Sequence, residues 1–146
     1  MTTQEYAKPI PVPDADSKPF WEYCKQHELR VQRCTDCHSY RWQPMPICYK
    51  CNSWKFEWAK LSGKGTVYSW IVIHQSNMPG FEVPYVGALI SLAEQNDVRM
   101  LSNIVECDVH AVYNNMPVEV VFEDITKEIS LPKWRPVMER DRRKKD

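Results

Sequence analysis

Cys34-Thr35-Asp36-Cys37 and Cys48-Tyr49-Lys50-Cys51 are two C-x-x-C knuckles separated by ten residues. A knuckle of this kind turns back on itself, so that its two thiolates point the same way. Two knuckles complete a tetrahedron of four sulfurs, the geometry zinc prefers in closed structural sites. The insert between them, with Tyr40, Arg41, Trp42 and Pro44, is long enough to leave and return as a ribbon. Zinc in so small a module supplies on the order of 10 kcal/mol of its folding free energy. Cys34, Cys37, Cys48 and Cys51 are therefore assigned as ligands of one structural Zn2+ ion. A closed tetrathiolate site has no open coordination position, so the metal is scaffold and does no hydrolytic chemistry.

Three other chemistries use the same cysteines. Cys34 to His38 also spells C-x-x-C-H, the attachment pattern of c-type haem, which needs an exported protein and leaves the second pair without a role. A thioredoxin-like redox pair needs a βαβ setting, which is missing here. A tetrathiolate iron centre stays open with the same ligands. His38 reads as a partly exposed neighbour of the site.

Outward from the knuckles, the pattern changes twice. On the N-terminal side, Pro9, Pro11 and Pro13 forbid helix and central strand, giving an extended arm over residues 1–16. Asp16 or Ser17 then caps a short helix that tolerates Pro19 in its first turn and ends near Glu28. Phe20, Trp21, Cys24 and His27 recur on it at helical spacing, with Cys24 as a buried thiol. On the C-terminal side, Ser62-Gly63-Lys64-Gly65 makes a turn into the β-favouring run Val67 to Ile73. Further strands are expected over Tyr85–Ala93, Val98–Glu106 and Pro117–Glu123, with Ile125–Leu131 as one more. Gln95-Asn96-Asp97 is the expected hairpin turn. Four or five antiparallel strands in so short a span must manage their edges, and a small barrel does so. The fold class is mainly β: an N-terminal helix and rubredoxin-like zinc ribbon over 17–60, an OB-like barrel over 61–136, and a charged tail over 137–146.

Composition limits the function classes. Lys plus Arg equals Asp plus Glu, 19 against 19, so the basic surplus of a dedicated nucleic-acid binder is missing. Residues Met1 to Asp16 hold no apolar run of the signal-peptide kind, and no segment approaches the roughly 18 apolar residues of a membrane span. The expected setting is the cytoplasm, where paired cysteines more often hold metal than form disulfides. Six tryptophans and seven tyrosines are many for 146 residues, and aromatics are enriched at protein interfaces.

Taken in order, Phe20-Trp21, the cysteine quartet, Ser62-Gly63-Lys64-Gly65-Thr66-Val67-Tyr68-Ser69, a strand ending at His74, Met78-Pro79-Gly80-Phe81, Pro84-Tyr85 and Met116-Pro117-Val118-Glu119-Val120 form a distinctive series. It resembles the zinc-ribbon plus OB-fold proteins catalogued as domain of unknown function 35, over residues 18–136. One departure is Asn114-Asn115, where that family usually places a glycine. The resemblance implies a small accessory subunit of a thiolase-fold enzyme acting on acyl-CoA thioesters, by β-ketoacyl-CoA thiolysis or by retro-aldol or Claisen chemistry. It implies a hetero-oligomer in which the thiolase-like partner carries the catalytic residues and most of the acyl-CoA site. Within the family, the aromatic-rich sequence looks most like the small subunits that serve benzoylsuccinyl-CoA thiolysis in anaerobic toluene breakdown.

The residues fit a partner role on physical grounds as well. Met78, Phe81 and Tyr85 place large apolar side chains on a loop expected at the surface, and exposed apolar clusters mark interfaces. Leu131 to Pro136 is expected to run extended after the last strand, with Trp134 and Arg135 suited to anchoring. Lys64, Lys133 and Arg135 are candidates to meet a coenzyme A phosphate at a shared interface. No residue is assigned as catalytic, because Cys24 and Cys107 have no evident activator. The competing reading is a single-stranded nucleic-acid module, since zinc ribbons and OB-folds both occur in such proteins.

Overall fold

Asp14 and Ser17 open the ordered structure by bonding each other reciprocally: Ser17 N–H donates to Asp14 Oδ1 at 2.7 Å, and Asp14 N–H donates to Ser17 Oγ at 3.1 Å. Ser17 is the N-cap of α1 (Lys18–Lys25), which buries Phe20 and Cys24 one turn apart. The computed structural model describes residues 6–138 of the chain. Most of the charged tail, including Arg140, Arg142, Arg143, Lys144 and Lys145, lies outside the described residues.

The helix stops three residues short of Glu28, because His27 takes φ 59 and the N–H groups of Gln26 and Glu28 turn back onto the Tyr23 carbonyl. His27 thereby leaves the apolar stripe. Its Nε2 meets Asp124 Oδ1 at 2.9 Å, and its ring stacks 5.2 Å from Phe122.

The ribbon sheet has the order β2-β1-β3, from β1 (Arg30–Cys34), β2 (Tyr40–Arg41) and β3 (Phe56–Lys60). The remaining strands close a five-stranded barrel. They are β4 (Lys64–Ile73), β5 (Tyr85–Leu92), β6 (Gln95–Ile104), β7 (Pro117–Asp124) and β8 (Ser130–Pro136), in the spatial order β4-β5-β6-β8-β7 with β4 paired back to β7. The β5–β6 turn falls at Ala93-Glu94, two residues before the stretch expected to form it, and Gln95 to Asp97 are already strand. The last strand likewise begins at Ser130, not Ile125, because Ile125 and Thr126 bond to Ile129 in a turn.

Val86, Ala88, Ile90 and Leu92 alternate inward along β5, with Val98, Met100 and Ile104 on β6 and Val118 on β7. Phe20, Cys24, Leu29 and Val31 belong to the same buried cluster, so helix, ribbon and barrel share one core. Gly65 lies so close to β5 that a side chain there would begin 2.6 Å from the Ser91 carbonyl oxygen. Asn115, at the family's glycine position, takes φ 62, a conformation asparagine tolerates far better than branched residues.

A bulge between Val67 and Ser69 shifts the register of β4. Beyond it Trp70 and Val72 oppose the inward Ala88 and Val86, whereas Ile71 opposes Gly87 and faces out. Ile71 is 64% exposed and Leu101 73% exposed, leaving an apolar patch on the outer wall of β4–β6.

β8 closes the barrel. It pairs with β7 along its length but touches β6 through a single parallel pair, Ile104 with Trp134. The Trp134 carbonyl accepts from Val105 N–H at 2.7 Å, and the Pro132 carbonyl accepts from Ser102 Oγ at 2.7 Å. Pro132 and Pro136 share that alternation, so their missing N–H groups fall on the sparsely bonded side, where proline is tolerated. Trp134 itself is fully buried. Its expected role as a surface anchor is corrected: residues 131–136 are the last strand, and the indole fills the barrel.

Trp134→Ala should destabilise the protein by about 3–5 kcal/mol in urea unfolding, the usual range for emptying a large aromatic site. The Ser130 hydroxyl and then His27 hold the Asp124 carboxyl at about 2, below its ordinary 3.8. A carboxyl depressed in the fold adds stability above its unfolded pKa, which is lost as pH falls through the folded value. Stability should therefore decline between pH 3.8 and about 2, and Asp124→Asn should flatten part of that decline; parallel pH profiles for the two proteins would refute the contribution.

Candidate metal centre and outer barrel wall

Each knuckle is built the same way. In the first, Cys34 N–H donates to the Ser39 carbonyl at 2.9 Å, His38 N–H donates back to the Cys34 carbonyl at 3.0 Å, and His38 takes φ 63. In the second, Cys48 N–H donates to the Ser53 carbonyl at 2.9 Å, Asn52 N–H donates back to the Cys48 carbonyl at 2.9 Å, and Asn52 takes φ 61. The residue after each second cysteine therefore provides the left-handed step that turns the chain around. His38 is exposed and serves this turn.

The turns bring four sulfurs together. All lie within 4.8 Å of one another, with Cys34 to Cys51 at 3.5 Å and Cys37 to Cys48 at 3.6 Å. A zinc ion with Zn–S bonds of about 2.3 Å requires sulfur–sulfur edges of about 3.8 Å, so the cluster has the size of a tetrathiolate cage. Backbone N–H groups point at the sulfurs: Cys37 N–H to Cys34 Sγ at 3.5 Å and Lys50 N–H to Cys48 Sγ at 3.4 Å. The Ser39 hydroxyl and N–H pull the Cys37 thiol down to about 6, while the neighbouring cluster sulfurs push Cys51 up to about 12, as expected for thiols close enough to share protons. The four residues could hold one metal ion such as zinc.

Arg41 lies beside this centre in the ribbon core and is 1% exposed. Its Nε donates to Gln32 Oε1 at 2.9 Å, its Nη2 donates to the Met45 carbonyl at 2.8 Å, and its guanidinium sits 4.9 Å from the Phe56 ring centroid. No sequence signal marked Arg41 as buried, since an arginine between two aromatics reads equally well as surface.

The remaining candidates divide. Lys64 Nζ reaches Glu119 Oε2 at 2.7 Å and Arg135 Nε reaches Glu119 Oε1 at 2.9 Å, so both cations converge on one carboxylate, which they hold below its usual range. Met78 and Val83 are exposed, whereas Phe81 and Tyr85 are half-buried with rings 5.8 Å apart. The arm folds onto this loop: Lys8 sits 5.4 Å from the Phe81 ring centroid, and Ala7 packs against Gly80. Arm, loop and barrel wall line an open cavity of about 910 Å³ into which Lys133 and Asn103 face. Asn103, on a strand without a recognisable motif, was not marked by the sequence.

Among the described residues, no helix is long and apolar enough to cross a membrane. Cys24 is buried, and its thiol is pushed up to about 12; Cys107 is also raised, first by burial and then by Asp108. Neither is an activated nucleophile.

Residues 58–123 match the family model described as ChsH2, C-terminal OB-fold domain. The chain is 35% identical over 131 residues to a probable enoyl-CoA hydratase alpha subunit of Thermomonospora curvata, covering 90% of this chain and 40% of that protein. It thus spans about two fifths of the length of that relative. It is 38% identical over 112 residues to a DUF35 domain-containing scaffold protein of Methanocaldococcus jannaschii, covering 74% of this chain and 77% of that one. A solved structure titled Ltp2-ChsH2(DUF35) aldolase superposes with a TM-score of 0.81 at 35% identity, over 88% of this chain and all of the matched one. With the cysteine cluster, the closed barrel and these matches, the chain belongs to the DUF35 family of OB-fold proteins.

Proposed function

We propose that the chain is a non-catalytic accessory subunit of an enzyme acting on acyl-CoA thioesters, with the reacting groups on a partner chain. The observation that carries this reading is the outward apolar wall of β4–β6. Ile71 and Leu101 are largely exposed there, and Met78 and Val83 are exposed on the loop between β4 and β5. Apolar surface of this kind on a folded chain marks a protein contact. Cys24 and Cys107, the two cysteines outside the cluster, both have raised thiol pKa values, whereas Claisen-type chemistry needs an activated nucleophile, a base and an oxyanion site. The relatives support it too: one is named as an alpha subunit of an enoyl-CoA hydratase, and one structure is titled an aldolase.

The finer reading is a thiolase-fold partner performing β-ketoacyl-CoA thiolysis or retro-aldol or Claisen chemistry, with the coenzyme A thioester at the shared interface. Benzoylsuccinyl-CoA is the first acyl group to try, on the resemblance in aromatic content. In the ribbon the metal is zinc, held as scaffold.

The tagged protein, recovered from its native cells, should bring down a stoichiometric acyl-CoA enzyme and show no turnover alone. Turnover without a partner, or recovery free of any such enzyme, would overturn the accessory role and turn attention to single-stranded nucleic acid. Elemental analysis should find one zinc and no iron per chain in a colourless protein. Cys48→Ser should lose the metal and several kcal/mol of stability in denaturant unfolding; full stability without metal would refute the scaffold assignment.

A further inference from the structure

We propose that the cavity between the N-terminal arm and the outer barrel wall binds a small organic carboxylate, its anionic group on Lys133 and its apolar body against Phe81, Tyr85 and Leu131. The cavity's volume, about 910 Å³, lies within the range of small-molecule sites. Its walls come from three parts of the chain: the arm at Tyr6 to Pro9, the loop at Gly80 to Pro84, and the strands carrying Tyr85, Asn103, Leu131 and Lys133.

Lys133 is the cation that the last strand brings to this cavity. Its Nζ donates to Asn103 Oδ1 at 2.6 Å, and the Asn103 amide is fixed because its Nδ2 donates to the Val86 carbonyl at 2.8 Å. Among the described residues, Lys25, Arg30, Lys60, Lys64 and Arg135 each have a carboxylate within ion-pair distance, and Lys133 has none. It is also half-buried, and burial lowers its pKa, which marks an ammonium stripped of water without a full partner.

The surrounding charges limit the ligand to a monoanion. Lys8, whose ammonium lies over the Tyr6 and Phe81 rings, adds a second positive charge at the arm. Glu123 from β7 and Glu82 from the loop also line the cavity and oppose it, while Asp124 is already engaged by Ser130, His27 and Lys25. One ammonium beside an uncommitted carboxylate suits a single carboxylate group better than a phosphate dianion, which draws on several convergent donors. The aromatic and aliphatic lining suits the rest of the ligand. The site stands on its own geometry, whatever the chain's role toward a partner.

The test is a titration of the full chain with benzoate, followed by amide and side-chain NMR shifts, with benzamide and inorganic phosphate as comparisons. Saturable shifts at Tyr85, Asn103 and Leu131 are expected with benzoate, and weaker binding with benzamide and phosphate. Lys133→Met, which keeps the aliphatic stem, should weaken benzoate about tenfold while preserving the dispersed spectrum of a folded chain. No saturation up to ~20 mM benzoate, equal binding of benzamide, tighter binding of phosphate, or unchanged affinity in Lys133→Met would each overturn the site.

Discussion

A single strand contact determines whether this chain has an inside. The one ladder pair between β8 and β6 is at Trp134, whose backbone completes the ring of strands and whose indole fills the space the ring encloses. Neighbouring residues inherit their positions from it. Lys133 and Arg135, on either side of an inward residue, must face outward, one into the cavity and one toward Glu119. α1 packs against the same strand and bonds through Lys25 to the Thr126 carbonyl in the turn before it. The ribbon is tied to the barrel through Gln95, whose Oε1 accepts from Tyr40 N–H and whose Nε2 donates to the Tyr49 hydroxyl.

The ribbon was the most legible part of the sequence, because cysteine spacing encodes geometry directly. Nothing else in the chain packs so much structural meaning into so few positions. The barrel strands were readable as β-favouring runs, but two boundaries moved for local reasons. Gln95 continues the strand that Asn96 and Asp97 had seemed to interrupt, and Pro132 and Pro136 sit in the last strand because their missing donors face a nearly unpaired edge. His27 kept the helical period in sequence yet turned left-handed, drawn instead to Asp124 and Phe122. Trp134 misled most: an aromatic between a lysine and an arginine reads as a surface anchor, and only barrel closure shows it to be core. The cavity was invisible to sequence, since its walls come from segments nearly 130 residues apart.

The division of chemistry follows from the same arrangement. Sulfur, the one reactive element this chain is rich in, is spent on architecture: four cysteines form the cage, and Cys24 is sealed under the helix. The cations expected to greet a phosphate are partly neutralised at Glu119. What remains for encounter is the apolar patch at Ile71 and Leu101, on a chain whose positive and negative charges balance. Such a surface gives little long-range steering, so association would depend on fit more than on electrostatic attraction.

The bulge in β4 makes the polarity of the barrel wall a matter of arithmetic. Between Val67 and Ser69 the chain counts one residue more than its neighbour, and every side chain downstream changes sides. Odd-numbered positions point inward before it and outward after it. Run as a regular strand without the bulge, the same sequence would draw Ile71 into the core and expel Trp70 and Val72. Surface identity in this molecule is thus held in the parity of one short segment as much as in which amino acids occupy it.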